Sequence, residues 1–244
     1  MRGDSPNGAV HRRAKMTTPT DCGPNTPTLS VAGTHERLQQ LLARPVVAIV
    51  GSRYSTYYGQ ETAATLAREL AQAGVTIVAG LTEGIEASAH HAVLQAGKPT
   101  IAVVPGSPLI PYPHGQKHLH AKILERGCAV GAAQAQTLKQ RSQHRGHSLQ
   151  DPLLKRNSLI AELAQLVILI EATTGAVAMQ TAETALELGR EVAAVPGRIT
   201  DESARGPNRL IREGAHPILE TKDAIDLLAC PYSDKPTRTG RALK

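Results

Sequence analysis

The 244-residue sequence contains no Phe and no Trp, and its aromatic content is limited to five Tyr. An aliphatic core is therefore expected. Only three cysteines are present, Cys22, Cys128 and Cys230, and their spacing matches neither a CxxC motif nor a zinc site. This usage is typical of a reducing compartment, and it indicates neither a structural disulfide nor a bound metal.

The sequence also lacks an apolar run of about 18 residues, the length that predicts a membrane span. Its first 27 residues are polar and rich in Pro, Thr and Gly, which does not match a secretory signal. We therefore expect a cytoplasmic protein with no membrane contact. A chain of this length can bury a full core without covalent cross-links.

The formal net charge of +6 is concentrated at the two ends of the chain. Residues 1–30 and 231–244 carry eight of the 27 basic and three of the 21 acidic side chains, which leaves 19 basic and 18 acidic groups. We predict disordered tails over 1–27 and 229–244, and solvated tails explain the basic charge without a binding site. Within the body, residues 137–157 hold a local basic excess that is a candidate footprint for a polyanion. Its Lys and Arg residues are Lys139, Arg141, Arg145, Lys155 and Arg156.

Strand-like and helix-like segments alternate over residues 28–228. The apolar, mostly β-branched run Val46–Val50 predicts a strand buried on both faces, and a Gly-Ser turn and a helix ending at Gly74 follow it. Alternation of this kind predicts a single α/β domain with a doubly wound, parallel-dominated sheet. The polar segment 132–155 is predicted to be the least ordered part of the body. Further strands are predicted over 28–31, 75–79, 100–104, near 129, 166–170, 192–195 and 218–219, and helices over 35–43, 59–73, 85–95, 115–126, 156–163, 176–188 and 221–228.

The first strands each lead into a glycine-containing loop. Residues 51–52 form the first turn, Gly80 and Gly84 bound the second, and Gly106 opens the third. Parallel strands bring such loops to one edge of the sheet, where helix N-termini offer unpaired N–H groups to an anion. Arg53 adds a guanidinium suited to phosphate, although an ordinary surface arginine would have the same sequence signature.

Motifs of several enzyme classes are absent. No GxGxxG follows Gly51, residues 97–99 lack the rest of a P-loop, and there is no GxSxG elbow. His114, His118 and His120 do not share one helical face, so we favour exposed histidines over a metal site.

Four of the five tyrosines fall in loops at the predicted edge. They are Tyr54, Tyr57, Tyr58 and Tyr112. Tyrosines beside an arginine are suited to stacking on nucleic-acid bases, which contributes roughly 1–3 kcal/mol per base. Each tyrosine taken singly is better explained as sealing a loop onto the sheet, whereas the four together favour stacking.

A series of motifs, taken in order, resembles the DprA/Smf family. The motifs are VAIVGSR (47–53), GLTEGIEASAH (80–90), YP (112–113), RN (156–157) with LIA (159–161), TA (181–182) with ALE (185–187), GREV (189–192), AVPG (194–197) and GPNRLIREGA (206–215). The order matches over about residues 28–228. The resemblance implies an extended Rossmann-like domain that binds and protects single-stranded DNA, forms homodimers and helps to load the recombinase RecA in natural transformation. It implies neither an enzyme nor a cofactor.

The resemblance also implies which residues contact DNA. Those placed at the phosphate are Gly51, Ser52, Arg53, Lys155, Arg156 and Asn157. The chemistry agrees, because backbone N–H and guanidinium groups suit phosphate, and an Asn amide also pairs with base edges. The four loop tyrosines are the candidates for base stacking, and four glycines line the same pocket. These are Gly80, Gly84, Gly106 and Gly197.

The chain departs from the family pattern at several positions. Glu83 stands where the family commonly has a basic or neutral residue, Glu86 where it has Asp, and Glu162 where it has Gly, and an added acid beside a phosphate site weakens it. Glu83 and Glu86 have the spacing of an acid/base pair, but we favour their interpretation as acids at a helix start. The segment before Arg156 has Asp151-Pro152 in place of an aromatic residue and Pro, and residues 175–178 alter a Gly-Ser turn.

Two alternatives remain open from the sequence. The related superfamily contains small-nucleotide binders and nucleoside-monophosphate hydrolases of the LOG type, for which the three acids would serve a sugar phosphate. Their Pro-Gly-Gly-x-Gly-Thr loop is absent here. The other alternative is a scaffold that keeps the fold for protein contacts alone.

Overall fold

A computed structural model of the chain describes residues 29–131 and 150–229, with the backbone alone for residues 150 and 151. The strands are β1 Ser30–Ala32, β2 Val46–Val50, β3 Thr76–Ala79, β4 Thr100–Val104, β5 Cys128–Gly131, β6 Leu166–Leu169, β7 Glu191–Ala194 and β8 His216–Pro217. The helices are α1 His35–Leu42, α2 Tyr57–Gln72, α3 Ile85–Gln95, α4 Lys117–Arg126, α5 Gln150–Leu163, α6 Val177–Glu187, α7 Arg205–Glu213 and α8 Thr221–Ala229. Short 3-10 turns at His114–Gln116 and Glu202–Ala204 precede α4 and α7.

The described strands form one sheet of eight in the order β1-β5-β4-β3-β2-β6-β7-β8. All neighbours are parallel except β1, which runs antiparallel to β5. From β2 the chain proceeds outward through β3, β4 and β5, and it then returns to the other side of β2 with β6. The predicted doubly wound, parallel-dominated α/β sheet is confirmed, and its direction reverses between β2 and β6.

Helices cover both faces of this sheet. On one face Leu159 and Ile160 of α5 pack with the side chains of Ala48 and Val50 of β2. On the other face Leu66 and neighbouring residues of α2 pack with Val47 and Ile49 of the same strand. All five β2 residues are buried, as the apolar run predicts. Alternate side chains of one strand therefore enter two different cores, which explains why the strand is apolar throughout.

Two element boundaries differ from the prediction in an informative way. Helix α5 begins at Gln150 and not at Arg156, and its third residue is Pro152. Proline is tolerated in a first helical turn because the N–H it lacks has no partner there, so a polar Pro-containing start concealed this turn. The last strand pairs at His216 and Pro217. Ile218 lies beyond it, although its N–H still donates to the carbonyl of Ala194 at 2.9 Å.

Several predictions concern other parts of the chain. The predicted tails, apart from residue 229, and the segment 132–149 with its cations Lys139, Arg141 and Arg145 lie outside the described residues. Among the described helices, none combines the length and apolarity needed to cross a membrane.

Candidate nucleic-acid interface

The loops that follow β2 and β6 contact each other where the sheet reverses direction. The backbone N–H of Ser52 donates to the carbonyl of Glu171 at 2.6 Å. Gly51 fits this contact because it has no side chain, and a Cβ there would lie 2.7 Å from Cγ1 of Ile85. In open α/β sheets this position is the usual ligand crevice. Here the protein's own backbone closes it.

The N-terminus of α2 already holds an anion, the carboxylate of Glu171. This side chain is 5% exposed and accepts hydrogen bonds from the N–H of Thr56 at 2.8 Å and from its hydroxyl at 2.5 Å. The Thr56 hydroxyl oxygen in turn accepts from the N–H of Gly59 at 3.1 Å. Glu171 thus supplies a negative charge at the start of α2, which disfavours the external anion that we expect at such a helix start. An isolated acid directly after an all-apolar strand was the sequence signal for this role.

Arg156 lies over the end of β3 and pairs with Glu86. Its Nη2 atom is 2.5 Å from Oε1 of Glu86, and the two residues are 4% and 3% exposed. The other carboxylate oxygen of Glu86 accepts from the N–H of Thr82 at 3.0 Å and from the Thr82 hydroxyl. A Cβ on Gly80 would overlap both the guanidinium and the carboxylate, so glycine provides the room for this pair.

Glu86 thus has a structural partner for each of its oxygens. It lies in the first turn of α3, as our preferred interpretation predicts. Because Arg156 neutralises it within the protein, Glu86 does not present an unpaired negative charge to a phosphate.

His90 fixes the other side of the β3 loop. Burial lowers the pKa of His90 from 6.5 to about 4, so the ring is neutral near pH 7. Its Nε2 atom lies 2.8 Å from the carbonyl of Gly80, which can only accept, so Nε2 carries the proton. Nδ1 lies 2.9 Å from the hydroxyl oxygen of Thr100, and that hydroxyl donates to the carbonyl of Ile77 at 2.8 Å. His90 of α3 therefore connects Gly80 in the loop after β3 with Thr100 of β4.

Gly84 brings the β3 loop against the loop that carries Arg53. Its φ angle is +77°, and a Cβ there would lie 2.5 Å from the carbonyl oxygen of Arg53. The next N–H, of Ile85, donates to the carbonyl of Ser52 at 3.2 Å. This packing fixes the position of the Ser52–Arg53 backbone. The side chain of Arg53 is exposed to solvent.

The predicted contact residues divide into exposed and buried groups. Arg53 is exposed and makes no ion pair with any residue in the described ranges. Lys155 is also exposed. Asn157 is 2% exposed, and its Nδ2 donates to the carbonyl of Val177 at 3.3 Å, which joins α5 to α6. Arg156 and Asn157 therefore face the interior and not the solvent.

The four tyrosines are all solvent-exposed, but Tyr57 and Tyr58 lie in the first turn of α2 and not in a loop, because the helix begins two residues before the predicted start at Gly59. The exposed fractions are 94% for Tyr54, 81% for Tyr57, 55% for Tyr58 and 41% for Tyr112. Tyr54 and Tyr57 are too exposed to seal a loop onto the sheet, whereas Tyr112 is more than half covered by the protein. Exposed tyrosine rings on the same edge as Arg53 are chemically suited to stacking on unpaired bases.

The remaining pocket glycines differ in their surroundings. Gly106 has a φ of +95°, and no heavy atom lies within 4 Å of the place where it would carry a Cβ. Gly197 is bound at both backbone groups by Asn208, whose Oδ1 accepts at 3.1 Å and whose Nδ2 donates at 2.9 Å. Asn208 therefore joins α7 to the loop after β7. Sequence reasoning included Asn208 only within a motif and gave it no role.

The histidine prediction is corrected in one position. His114 and His118 are exposed, but His120 is 4% exposed and its Nε2 lies 2.9 Å from the carbonyl of Pro108. It anchors the loop after β4 onto α4. In the described ranges, no group of three or more His, Cys, Asp or Glu is placed to hold a metal ion.

Two acids outside the pair with Arg156 occupy different edges. Glu162 lies near the C-terminal end of α5, where the Arg190 guanidinium donates to its carbonyl at 3.1 Å just before β7. That is the amino edge of the sheet, so Glu162 does not weaken a phosphate site at the carboxyl edge. Burial raises the pKa of Glu162, and Arg190 opposes the shift. Glu83, by contrast, is exposed at the carboxyl edge.

A groove of about 460 Å³ lies beside Tyr58, between α2 and the segment from β7 to α8. Its lining includes Glu61, Glu69 and Glu220. This negative rim disfavours phosphate in the groove.

Comparison with known proteins agrees with this geometry. The family model described as DNA recombination-mediator protein A matches residues 21–229. The chain belongs to this family, DprA/Smf. Protein Smf of Escherichia coli is 34% identical over 75% of the chain. The match covers 46% of that protein, and the chain spans about half the length of such curated relatives.

Solved DprA structures share the fold. The X-ray structure of DprA from Streptococcus pneumoniae is 32% identical, has a TM-score of 0.71, and is matched over 82% of this chain and 65% of that one. DprA from Helicobacter pylori, whose structure is described as giving insights into a unique single-stranded DNA binding mode, is 27% identical. Its TM-score is 0.70, with 84% of this chain and 89% of that chain covered.

Proposed function

We propose that this DprA-family chain binds single-stranded DNA at the carboxyl edge of its sheet. The observation that carries the proposal is the exposure of Arg53 and four tyrosines at this edge, where Arg53 has no ion pair in the described part of the chain. Tyr54, Tyr57 and Tyr58 follow β2 together with Arg53, and Tyr112 lies in the loop after β4. Guanidinium binds phosphate oxygens, and tyrosine rings stack on bases whose faces are not covered by pairing. The single-stranded DNA binding mode described for DprA from Helicobacter pylori supports the same ligand.

The residues act in three ways in this proposal. Arg53 and Lys155 contact phosphates, and the backbone of Gly51 and Ser52 sets the position of Arg53. Tyr54, Tyr57, Tyr58 and Tyr112 stack on bases. Arg156 and Asn157 position the surrounding loops from the interior through Glu86 and Val177.

A strand is favoured over a mononucleotide for a structural reason. The crevice that takes a nucleotide in related folds is closed by the Ser52–Glu171 contact, and Glu171 fills the N-terminus of α2. A ligand at this edge lies over the loops and extends along them. This argues against the LOG-type nucleotide hydrolase.

We further propose that the protein is a cytoplasmic homodimer that protects incoming DNA and passes it to a RecA-type recombinase in natural transformation, without catalysing a reaction on it. Membership of a family described as a recombination mediator supports this role. Strand exchange by a recombinase on pre-coated single-stranded DNA, with and without this protein, tests the partner. Light scattering tests the dimer, and recovery of intact oligonucleotide after incubation with Mg²⁺ tests the absence of nuclease activity.

The binding proposal is tested with a fluorescent dT oligonucleotide and unlabelled competitors. We expect salt-dependent binding that single strands compete for and that duplex DNA and mononucleotides displace poorly. Displacement by a mononucleotide at the same concentration as the strand would instead support the nucleotide-binding alternative.

A further inference from the structure

Glu83 is the one acidic residue in the three loops that follow β2, β3 and β4. Its side chain is exposed, and it makes no salt bridge or hydrogen bond with another residue of the described ranges. The neighbouring acid Glu86 is buried and paired. An unpaired carboxylate at the edge proposed to bind a polyanion requires an explanation, because it repels phosphate.

The position of Glu83 places its carboxylate at the same edge as the residues proposed to contact bases. The next residue, Gly84, packs against the backbone of Ser52 and Arg53. The Oε1 atom of Glu83 lies 3.5 Å from the place where Gly115 would carry a Cβ, three residues after Tyr112. Glu83 therefore lies between the loop of Arg53 and the turn that follows an exposed tyrosine.

A carboxylate in this position recognises bases by the donors they present. It accepts hydrogen bonds and donates none. Unpaired guanine offers N1–H and the N2 amino group side by side, which matches the two oxygens of a carboxylate. Adenine and cytosine place an acceptor beside their amino group, and thymine flanks its N3–H with two carbonyl oxygens, so each of these repels one carboxylate oxygen.

We propose that Glu83 selects guanine, accepting hydrogen bonds from N1–H and the N2 amino group of a base stacked next to Tyr112. This inference rests on the proposed single-stranded DNA binding. Glu83 then has a role in base selection. Its two hydrogen bonds to guanine compensate for the repulsion between its carboxylate and the DNA phosphates.

The test compares alternating dT-dG, dT-dI and dT-dA oligonucleotides by fluorescence anisotropy at one salt concentration. Because every second base is the varied one, the test does not depend on which nucleotide of the strand lies beside Glu83. The base of inosine differs from guanine only in lacking the N2 amino group. We expect wild type to bind the dT-dG strand about fivefold or more tightly than the dT-dA strand, with dT-dI between them. Equal affinity for the three strands would overturn the inference and leave the proposed function intact. Failure of every strand to bind would overturn both.

Variants assign the selectivity to this side chain. Glu83→Ala should lose the guanine preference and bind the dT-dA strand at least as tightly as wild type, because a repulsive charge is removed. Glu83→Gln should move the preference towards adenine, since an amide presents one acceptor and one donor to N6 and N1. Glu125→Ala is the matched control, because Glu125 is an exposed acid in the last turn of α4, at the amino edge. A guanine preference that persists in Glu83→Ala contradicts the assignment.

Discussion

The guanidinium of Arg156 lies 2.5 Å from the carboxylate of Glu86, although the two residues are 70 positions apart and their helices cover opposite faces of the sheet. The contact passes over the end of β3, where Gly80 leaves room for it. It joins α5, which follows the basic segment, to the loop beneath Arg53. The pair is therefore a structural support of the proposed DNA-binding edge.

Removing one member of this pair should strongly destabilise the protein. Glu86→Gln leaves a buried guanidinium without its counter-ion, and we expect the free energy of unfolding to fall by about 3–5 kcal/mol in urea titrations. Replacing both residues with apolar ones, Glu86→Leu with Arg156→Met, should restore much of the loss.

The exposed pair Arg209–Glu213 is the control for this prediction. Its N–O distance is 2.8 Å, but the side chains are 42% and 47% exposed. Glu213→Gln should therefore change the unfolding midpoint far less than Glu86→Gln. Similar losses for the two variants would show that the buried pair has no special role.

Gly84 should not tolerate a side chain. Gly84→Ala places a Cβ against the carbonyl oxygens of Ser52 and Arg53 at a φ of +77°, and we expect a loss of about 2 kcal/mol or more together with weaker DNA binding. Gly175→Ala is the control, because nothing lies within 4 Å of the added carbon. Unfolding titrations and oligonucleotide binding measure both variants. Equal behaviour of the two would contradict the packing described for the β3 loop.

Stability should fall as the pH falls from about 6.5 to about 4. Burial lowers the pKa of His90 to about 4, so in this window the unfolded chain binds a proton that the folded protein does not. The contribution amounts to about 3 kcal/mol. His90→Gln should flatten the dependence of the unfolding free energy on pH. An unchanged slope in this variant would assign the acid sensitivity to other groups.

Tyr57 should contribute to DNA binding through its ring and not its hydroxyl. Tyr57→Ala is expected to weaken oligonucleotide binding by roughly 1–3 kcal/mol, whereas Tyr57→Phe keeps most of the affinity. The side chain is 81% exposed, so neither variant should alter the thermal unfolding of the free protein. A large loss with Phe would point to hydrogen bonding by the phenol.

The sequence predicted most of the fold because its signals are local. The β-branched run at Val46–Val50, the apolar spacing along α2 and the glycines after the helices indicate strand, helix and stop without reference to distant residues. The start of α5 was missed because its first turn contains Pro152 and polar residues. These resemble a loop when only neighbouring positions are considered.

The site was predicted less completely because burial depends on distant partners. The sequence resemblance assigns both Arg53 and Arg156 to phosphate binding. In the structure Arg53 is exposed, whereas Arg156 is buried against Glu86. The pairing depends on the room left by Gly80 and on the crossing of α5 over the sheet. Glu171 was overlooked for the same reason, since its partner Thr56 is 115 residues away.

The most direct test of the DNA site measures single-stranded DNA binding by Arg53→Ala and Arg44→Ala over a salt series. These exposed arginines lie at the carboxyl and amino ends of β2, respectively. We expect Arg53→Ala to lose about tenfold to a hundredfold in affinity, since a charged hydrogen bond contributes about 1.5–3 kcal/mol. The slope of log affinity against log salt should also fall by about 0.7 for each phosphate that the variant no longer neutralises. Arg44→Ala should match wild type in both quantities. Equal effects of the two substitutions would contradict a DNA site at the carboxyl edge.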